Sequence, residues 1–150
     1  MGFFDGYNVA TSGMTAQRSR INVVSSNIAN AQTTHTEQGG PYRKQNVVFN
    51  EVLMDSQGKQ KFVEAGEKPD PLSLRGVGVK DIIEAKDAPM MKYEPEHPDA
   101  NKDGYVAYPN INPVIEMVDL IEAMRSYEAN VASFKSQKDM DTKTLEILKG

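Results

Sequence analysis

The chain has 150 residues, 39% hydrophobic and 7% aromatic, with no Trp, a thin supply for one large core. It has no Cys, which excludes disulfides and cysteine-based zinc sites. The formal net charge of −4 argues against free nucleic acid as a partner.

The first residues carry no basic region and no unbroken apolar run, so no cleavable signal peptide is expected. Gly2 stands where a myristoyl acceptor would, but Gly6 occupies the position that needs Ser or Thr. No stretch reaches the length of a transmembrane helix. The protein is expected to stay in the cytoplasm or to leave by a route that reads no cleaved signal.

A helix is predicted over about Phe3 to Ala31. Two sevenfold series interleave on it: Tyr7, Met14, Ile21 and Ile28, with Phe3, Ala10, Val24 and Ala31. Gln17 is the only polar member of this seam. Such spacing keeps one narrow stripe on one side of a helix, as in a coiled coil. Thr11-Ser12-Gly13 is the weak point, because Gly costs about 1 kcal/mol within a helix. Alone, such a helix is marginal. Asn27 and Asn30, three apart, share a face. They suit either closing the helix or bonding across to a neighbour.

The middle of the chain reads as β-rich. Gln32 to Pro41 is a linker ending in the breaker Gly39-Gly40-Pro41. Tyr42 to Leu53 is predicted extended, with Val47, Phe49 and Leu53 as its apolar members. Asp55 to Ser73 is polar, contains Pro69 and Pro71, and is predicted to be a flexible loop. Gly76 to Ala85 is a second strand, with Val77, Val79 and Ile83 on one face. Met90 to Glu94 is a short third strand, and Tyr105 to Tyr108 is extended between Pro98 and Pro109.

Asn112 to Lys149 is predicted as one long helix. Asn112 is a good N-cap and Pro113 fits the first helical position. Its apolar seam runs Met117, Leu120, Met124, Tyr127, Val131, Phe134, Leu145 and Leu148, with Lys138 and Asp141 as polar breaks. Its length is roughly 55 Å. A compact domain of this size is only about 40 Å across. Something must cover the protruding seam: another part of the chain, other copies, or both. The predicted fold is therefore mainly α with a small β insert. Residues 1–36 and 110–150 form long terminal helices that pair as a coiled coil. Residues 37–109 form the β-rich middle.

Candidate chemistry is sparse. Asp99-Ala100-Asn101-Lys102-Asp103-Gly104 matches the first half of a calcium loop. Position 12 is then Asn110 rather than Glu, and Pro95 and Pro98 replace the entering helix. A turn in which Asn and Asp bond their own backbone is the better reading. His35 and His97 sit in loops, away from any nucleophile-like turn or phosphate-cradling glycine loop. Carboxylate pairs such as Glu94 and Glu96 read as solvated loop charges. The eight Met suit adaptable packing better than ligation. No catalytic, cofactor or metal site, and no small-molecule substrate, is expected.

Three stretches resemble the bacterial flagellar axial proteins. Thr15-Ala16-Gln17-Arg18, then Ser26-Asn27-Ile28-Ala29-Asn30 and Thr33-Thr34, is similar to an N-terminal motif shared by rod, hook and hook-associated proteins. Gly39-Gly40-Pro41-Tyr42-Arg43 leading to Val47-Val48-Phe49 is more particular to the proximal rod. So is the run from Tyr93-Glu94-Pro95 through Pro98, Gly104-Tyr105-Val106 and Pro109-Asn110-Ile111 to Arg125-Ser126-Tyr127-Glu128-Ala129-Asn130. The likeness covers nearly the whole chain.

The resemblance implies a structural subunit of the basal-body rod, a hollow drive shaft that transmits motor torque. It implies terminal helices that stack with those of other subunits into a tube, with the β-rich part outside. It further implies export, largely unfolded, by the flagellar type III apparatus into the periplasm. The implied partners are other rod proteins, further copies, the membrane-ring base and the export apparatus. The residues expected to carry assembly are Tyr7, Met14, Ile21, Val24, Asn27, Ile28, Asn30, Met124, Tyr127, Asn130, Val131 and Phe134, the three Asn as polar contacts that fix register. Two other readings are a soluble coiled-coil adaptor forming a closed oligomer, and a calcium-responsive module built on Asp99, Asn101 and Asp103.

Overall fold

The computed structural model describes residues 5–54, 60–63 and 73–149. The expectations for Gly2, Phe3 and much of the Asp55–Ser73 loop lie outside the described residues. In chain order the elements are α1 (Asp5–Ala29), β1 (Gln45–Met54), β2 (Gln60–Phe62), β3 (Leu74–Glu84), β4 (Met90–Tyr93), β5 (Tyr105–Tyr108) and α2 (Pro113–Lys149). Two long helices flank a β-containing middle, as predicted. One correction falls inside the predicted loop: Gln60–Phe62 is a strand, paired antiparallel with Val52–Met54. Its polar composition hid it, because its role is to cover the end of β1.

α1 passes unbroken through Thr11-Ser12-Gly13. Gly13 is not a break but a close approach. A methyl added there would fall 2.8 Å from Asn130 Oδ1. The helix closes at Asn30, whose backbone N–H and side-chain Nδ2 both donate to Ser26 O, at 3.0 and 2.9 Å. Asn30 Oδ1 accepts from Thr33 Oγ1. Asn30 thus closes its own helix end, the first of the two roles open to it.

β1 is the centre of the first sheet, in the order β2-β1-β3, with every pairing antiparallel. Its register with β3 runs from Gln45 opposite Glu84 to Met54 opposite Leu74. Val48 faces Asp81 and Phe49 faces Val79, so Lys80 is the extra residue of a β-bulge. α1 lies against β1 and β3. Ser12 makes the tightest crossing: its Oγ donates to Val9 O and accepts the Val77 N–H at 3.3 Å. A Cβ at Gly76 would sit 2.6 Å from that hydroxyl, so β3 passes as close as a residue without side chain allows. Ala10, Ala16, Val23 and Val24 of α1 and Val52 and Met54 of β1 are buried.

β4 and β5 form a separate antiparallel ribbon, from Met90 opposite Tyr108 to Tyr93 opposite Tyr105. Asn101 builds its turn: Oδ1 accepts the N–H of Asp103 and of Tyr105, each at 2.9 Å. Gly104 supplies the positive φ. Asp99 accepts from Thr34 Oγ1, which ties this turn to the linker after α1.

α2 begins as its sequence signals. Asn112 Oδ1 accepts the Val114 N–H at 3.0 Å, and Asn112 O accepts that of Glu116. Among the described residues, no helix is long and apolar enough to cross a membrane.

Candidate assembly interface

α1 and α2 pack side by side and antiparallel. Asn27 meets Glu116, Gly13 meets Asn130, and Gly6 meets Gln137. Between them Arg20 lies 3.7 Å from Asp119 and 3.8 Å from Glu122, both in the turn before the buried Ala123. Each step is seven residues on both helices, so one register holds along the whole contact.

This seam corrects the predicted one at alternate positions. Tyr7 meets Phe134 and Asp141 of α2, and Asn27, also expected, meets Glu116. Beside Met14 and Ile21, the residues one earlier, Gly13 and Arg20, make the closer contact. On α2 the same shift replaces Met117, Met124 and Val131 by Glu116, Ala123 and Asn130. Met117 and Met124 remain 48% and 47% exposed, whereas Ala123 is fully buried. The physical reason is backbone proximity. Glycine lets Asn130 and Gln137 lie against the helix axis, which a larger seam residue would prevent. An apolar template picks the bulky apolar one of two neighbours and so misses the glycine, alanine or polar residue beside it that packs.

The other expected residues fall as follows. Val24 and Asn27 are buried; Met14, Ile21, Ile28, Tyr127 and Val131 are half-buried. Tyr7 stacks edge-on with Phe134 at 4.9 Å between ring centroids, and its hydroxyl donates to Asp141 Oδ2 at 2.6 Å. That hydrogen bond to a carboxylate, helped by burial and by nearby negative charge, pushes the Tyr7 phenol up to about 12.

The near end of the pair is a buried polar hub. Asn27, 1% exposed, uses its whole hydrogen-bonding capacity. Nδ2 donates to Gln45 O at 2.9 Å and to Glu116 Oε2 at 3.0 Å. Oδ1 accepts the Gln45 N–H at 2.9 Å and the Tyr42 hydroxyl at 3.1 Å. Towards Gln45 the amide acts as a neighbouring strand would, meeting both the N–H and the C=O of one residue. Glu116, also 1% exposed, is held on its other oxygen by Lys44 Nζ at 2.5 Å. Lys44 O accepts the Ala85 N–H at the end of β3. Asn27 of α1 and Lys44, just before β1, thus converge on one carboxylate of α2. Periodicity marked only Asn27; Tyr42, Lys44 and Glu116 come from separate parts of the chain and carry no joint local signal.

Helix geometry sorts the remaining faces. Ser12 and its neighbours Ala16 and Val23 turn toward the sheet. Residues one step past the seam turn about 100° the other way. Because the helices are antiparallel, that step carries both to the same side of the pair. Met14, Ile21 and Ile28 therefore share one face with Met117, Met124 and Val131, away from the sheet. On α2 this apolar surface continues through the exposed Val114, Val118 and Ile121. The β4–β5 ribbon carries a separate polar cluster. Lys92 pairs with Glu94, which also accepts the Tyr108 hydroxyl at 2.8 Å. Lys92, then Tyr108, hold the Glu94 carboxyl below its usual range, and Glu94 raises both partners. Among the described residues, no group of three or more His, Asp or Glu could hold a metal ion.

Comparison with known proteins places this architecture. Residues 8–34 match the family model described as flagella basal body rod protein. Residues 102–147 match that described as flagellar basal body rod FlgEFG protein C-terminal. The chain is 45% identical to the flagellar basal-body rod protein FlgC of Borreliella burgdorferi, over 100% of both chains. It is 40% identical to FlgC of Bacillus subtilis, over 96% of this chain and 97% of the relative. It is 37% identical to FlgC of an Escherichia coli O6:H1 strain, over 98% of each. The two matched stretches hold most of α1 and all but the last residues of α2, the helices that form the seam. The chain belongs to the FlgC family of flagellar basal-body rod proteins, which are structural subunits and not enzymes.

Proposed function

We propose that this subunit polymerises through its paired terminal helices into the proximal part of the rod, a hollow shaft that carries motor torque. The helix pair acts as a short antiparallel coiled coil. Its apolar face, opposite the sheet, meets helices of further copies and of other rod proteins. The β-containing middle stands away from that contact. The membrane-ring base and the export apparatus complete the partners. The chain is exported by the type III route without a cleaved signal and works in the periplasmic portion of the basal body.

The observation that carries this reading is the placement of the half-buried Met14, Ile21 and Ile28 with the exposed Met117 and Met124 on one face of the pair. A face of that kind on a helix pair marks an interaction surface. Met suits a surface that meets several different neighbours. The test is Met117→Glu with Met124→Glu, expressed in a bacterium lacking its own copy. These half-exposed sites leave the fold intact, so circular dichroism is unchanged. Incorporation into isolated basal bodies, and swimming, are lost. Normal incorporation of a folded double variant would remove the proposal.

A further inference from the structure

The seam holds polar and glycine residues where a helix pair ordinarily buries apolar ones. Several are matched to particular partners across the seam. Asn130 fits only over a residue without a Cβ, and Gly13 provides it. Asn27 and Lys44 need a carboxylate between them, and Glu116 provides it. A slip of one heptad would preserve the sevenfold pattern of both helices. It would also carry Glu116 about 10 Å from Asn27. Asn27 and Lys44 would then be left without their carboxylate, which is costly for the buried Asn27 amide. A foreign helix with Leu at the Glu116 level would incur the same loss.

Such discrimination matters if the rod reading holds, on which this inference rests. α2 matches a model described for the C-terminal parts of other rod proteins. Several similar helices would then meet at close quarters, and α1 must choose among them. We propose that Gly13, Asn27, Lys44, Glu116 and Asn130 are the specificity-determining residues of helix pairing. They direct α1 to the α2 of its own chain in a single register. Choice rests on the loss that every wrong partner suffers, not on the apolar area that the right one buries. The apolar face is thereby kept for neighbouring subunits.

The chain has no Cys, so introduced thiols report without background. In the purified full chain, Gly6→Cys with Gln137→Cys and a short bifunctional thiol reagent reads the register. The division between cross-links within a chain and between chains reads partner choice. Gly13→Asn should lower the within-chain product about tenfold and raise cross-linked dimers, a coupling usual for residues in contact. Asn130→Gly should act in the same direction. The exchange of both, Gly13→Asn with Asn130→Gly, should restore the original division. Glu116→Leu should shift the product toward dimers although it adds apolar surface. Amide exchange of β1 and β3 checks that the sheet is intact in each variant. An unchanged division in Gly13→Asn, or an exchange that restores nothing while the sheet stays protected, would overturn the proposal. If the single variants lose the sheet, Glu116→Gln decides: more dimers support the proposal, and an unchanged division overturns it. The assay uses the isolated chain, so its failure leaves the rod reading standing; failure of that reading shows only in basal-body incorporation.

Discussion

The two ends of the helix pair are built differently. At the near end, Asn27, Glu116, Lys44 and Tyr42 are locked into α1, α2 and β1 together, and the two central side chains see almost no water. At the far end, Tyr7, Phe134 and Asp141 join the two helices to each other, and α2 runs on with Leu145, Ile147 and Leu148 exposed. One end is pinned to the sheet; at the other, the described contacts run between the two helices. Local stability in such a molecule falls with distance from the pinned end.

The largest test of that difference is Glu116→Ala. Breaking a buried ion pair from one side costs about 3–5 kcal/mol. The expected drop in Tm is on the order of 10 °C, read by thermal unfolding. A change within experimental scatter would mean that the near end is not the anchor. Hydrogen exchange on the isolated chain comes next. Amides around Val23–Asn27 and Glu116–Ala123 should be the slowest of the two helices, and those beyond Asp141 the fastest. Uniform exchange along both helices would erase the comparison.

A smaller effect is alkaline. The Tyr7 phenol is raised in the folded state from 10 to about 12. Its contribution is complete below pH 10 and is lost as pH rises through 12. The far end should therefore loosen in that window while the hub stays closed. Tyrosine absorbance should show one late-titrating phenol that disappears in Tyr7→Phe. The smallest change expected is Lys92→Ala. It should bring the Glu94 carboxyl back up toward its ordinary range, seen by NMR titration, without altering either helix. Glu94 is held low in the folded chain, so its share of stability is present above the usual carboxylate range. That share fades as pH falls through the folded value.

What was legible in the sequence was local. Asn112-Pro113 announced the start of α2 because cap chemistry involves only adjacent residues. The strands announced themselves by β-branched and aromatic runs, and Asn101 by the turn it builds. The seam was legible in period but not in phase. Adjacent residues differ by about 100° around a helix, and apolarity alone passed over Gly13, Arg20 and Ala123, which lie closer to the partner helix than Met14, Ile21 and Met124. Gly6 and Gly13, seven apart, were the available signal, and an apolar template passes over glycine. The hub was beyond sequence reasoning for another reason. Lys44 reaches Glu116 only after β1 has paired and α2 has docked.

The position of the hub also decides how the subunit answers to force. Glu116 lies in the first turn of α2, so a pull along the helix axis loads its bonds to Asn27 and Lys44 together, in shear. A sideways pull on the far end instead peels the pair apart one contact at a time, beginning at Tyr7 and Asp141. The subunit is therefore stiff along its long helix and compliant across it.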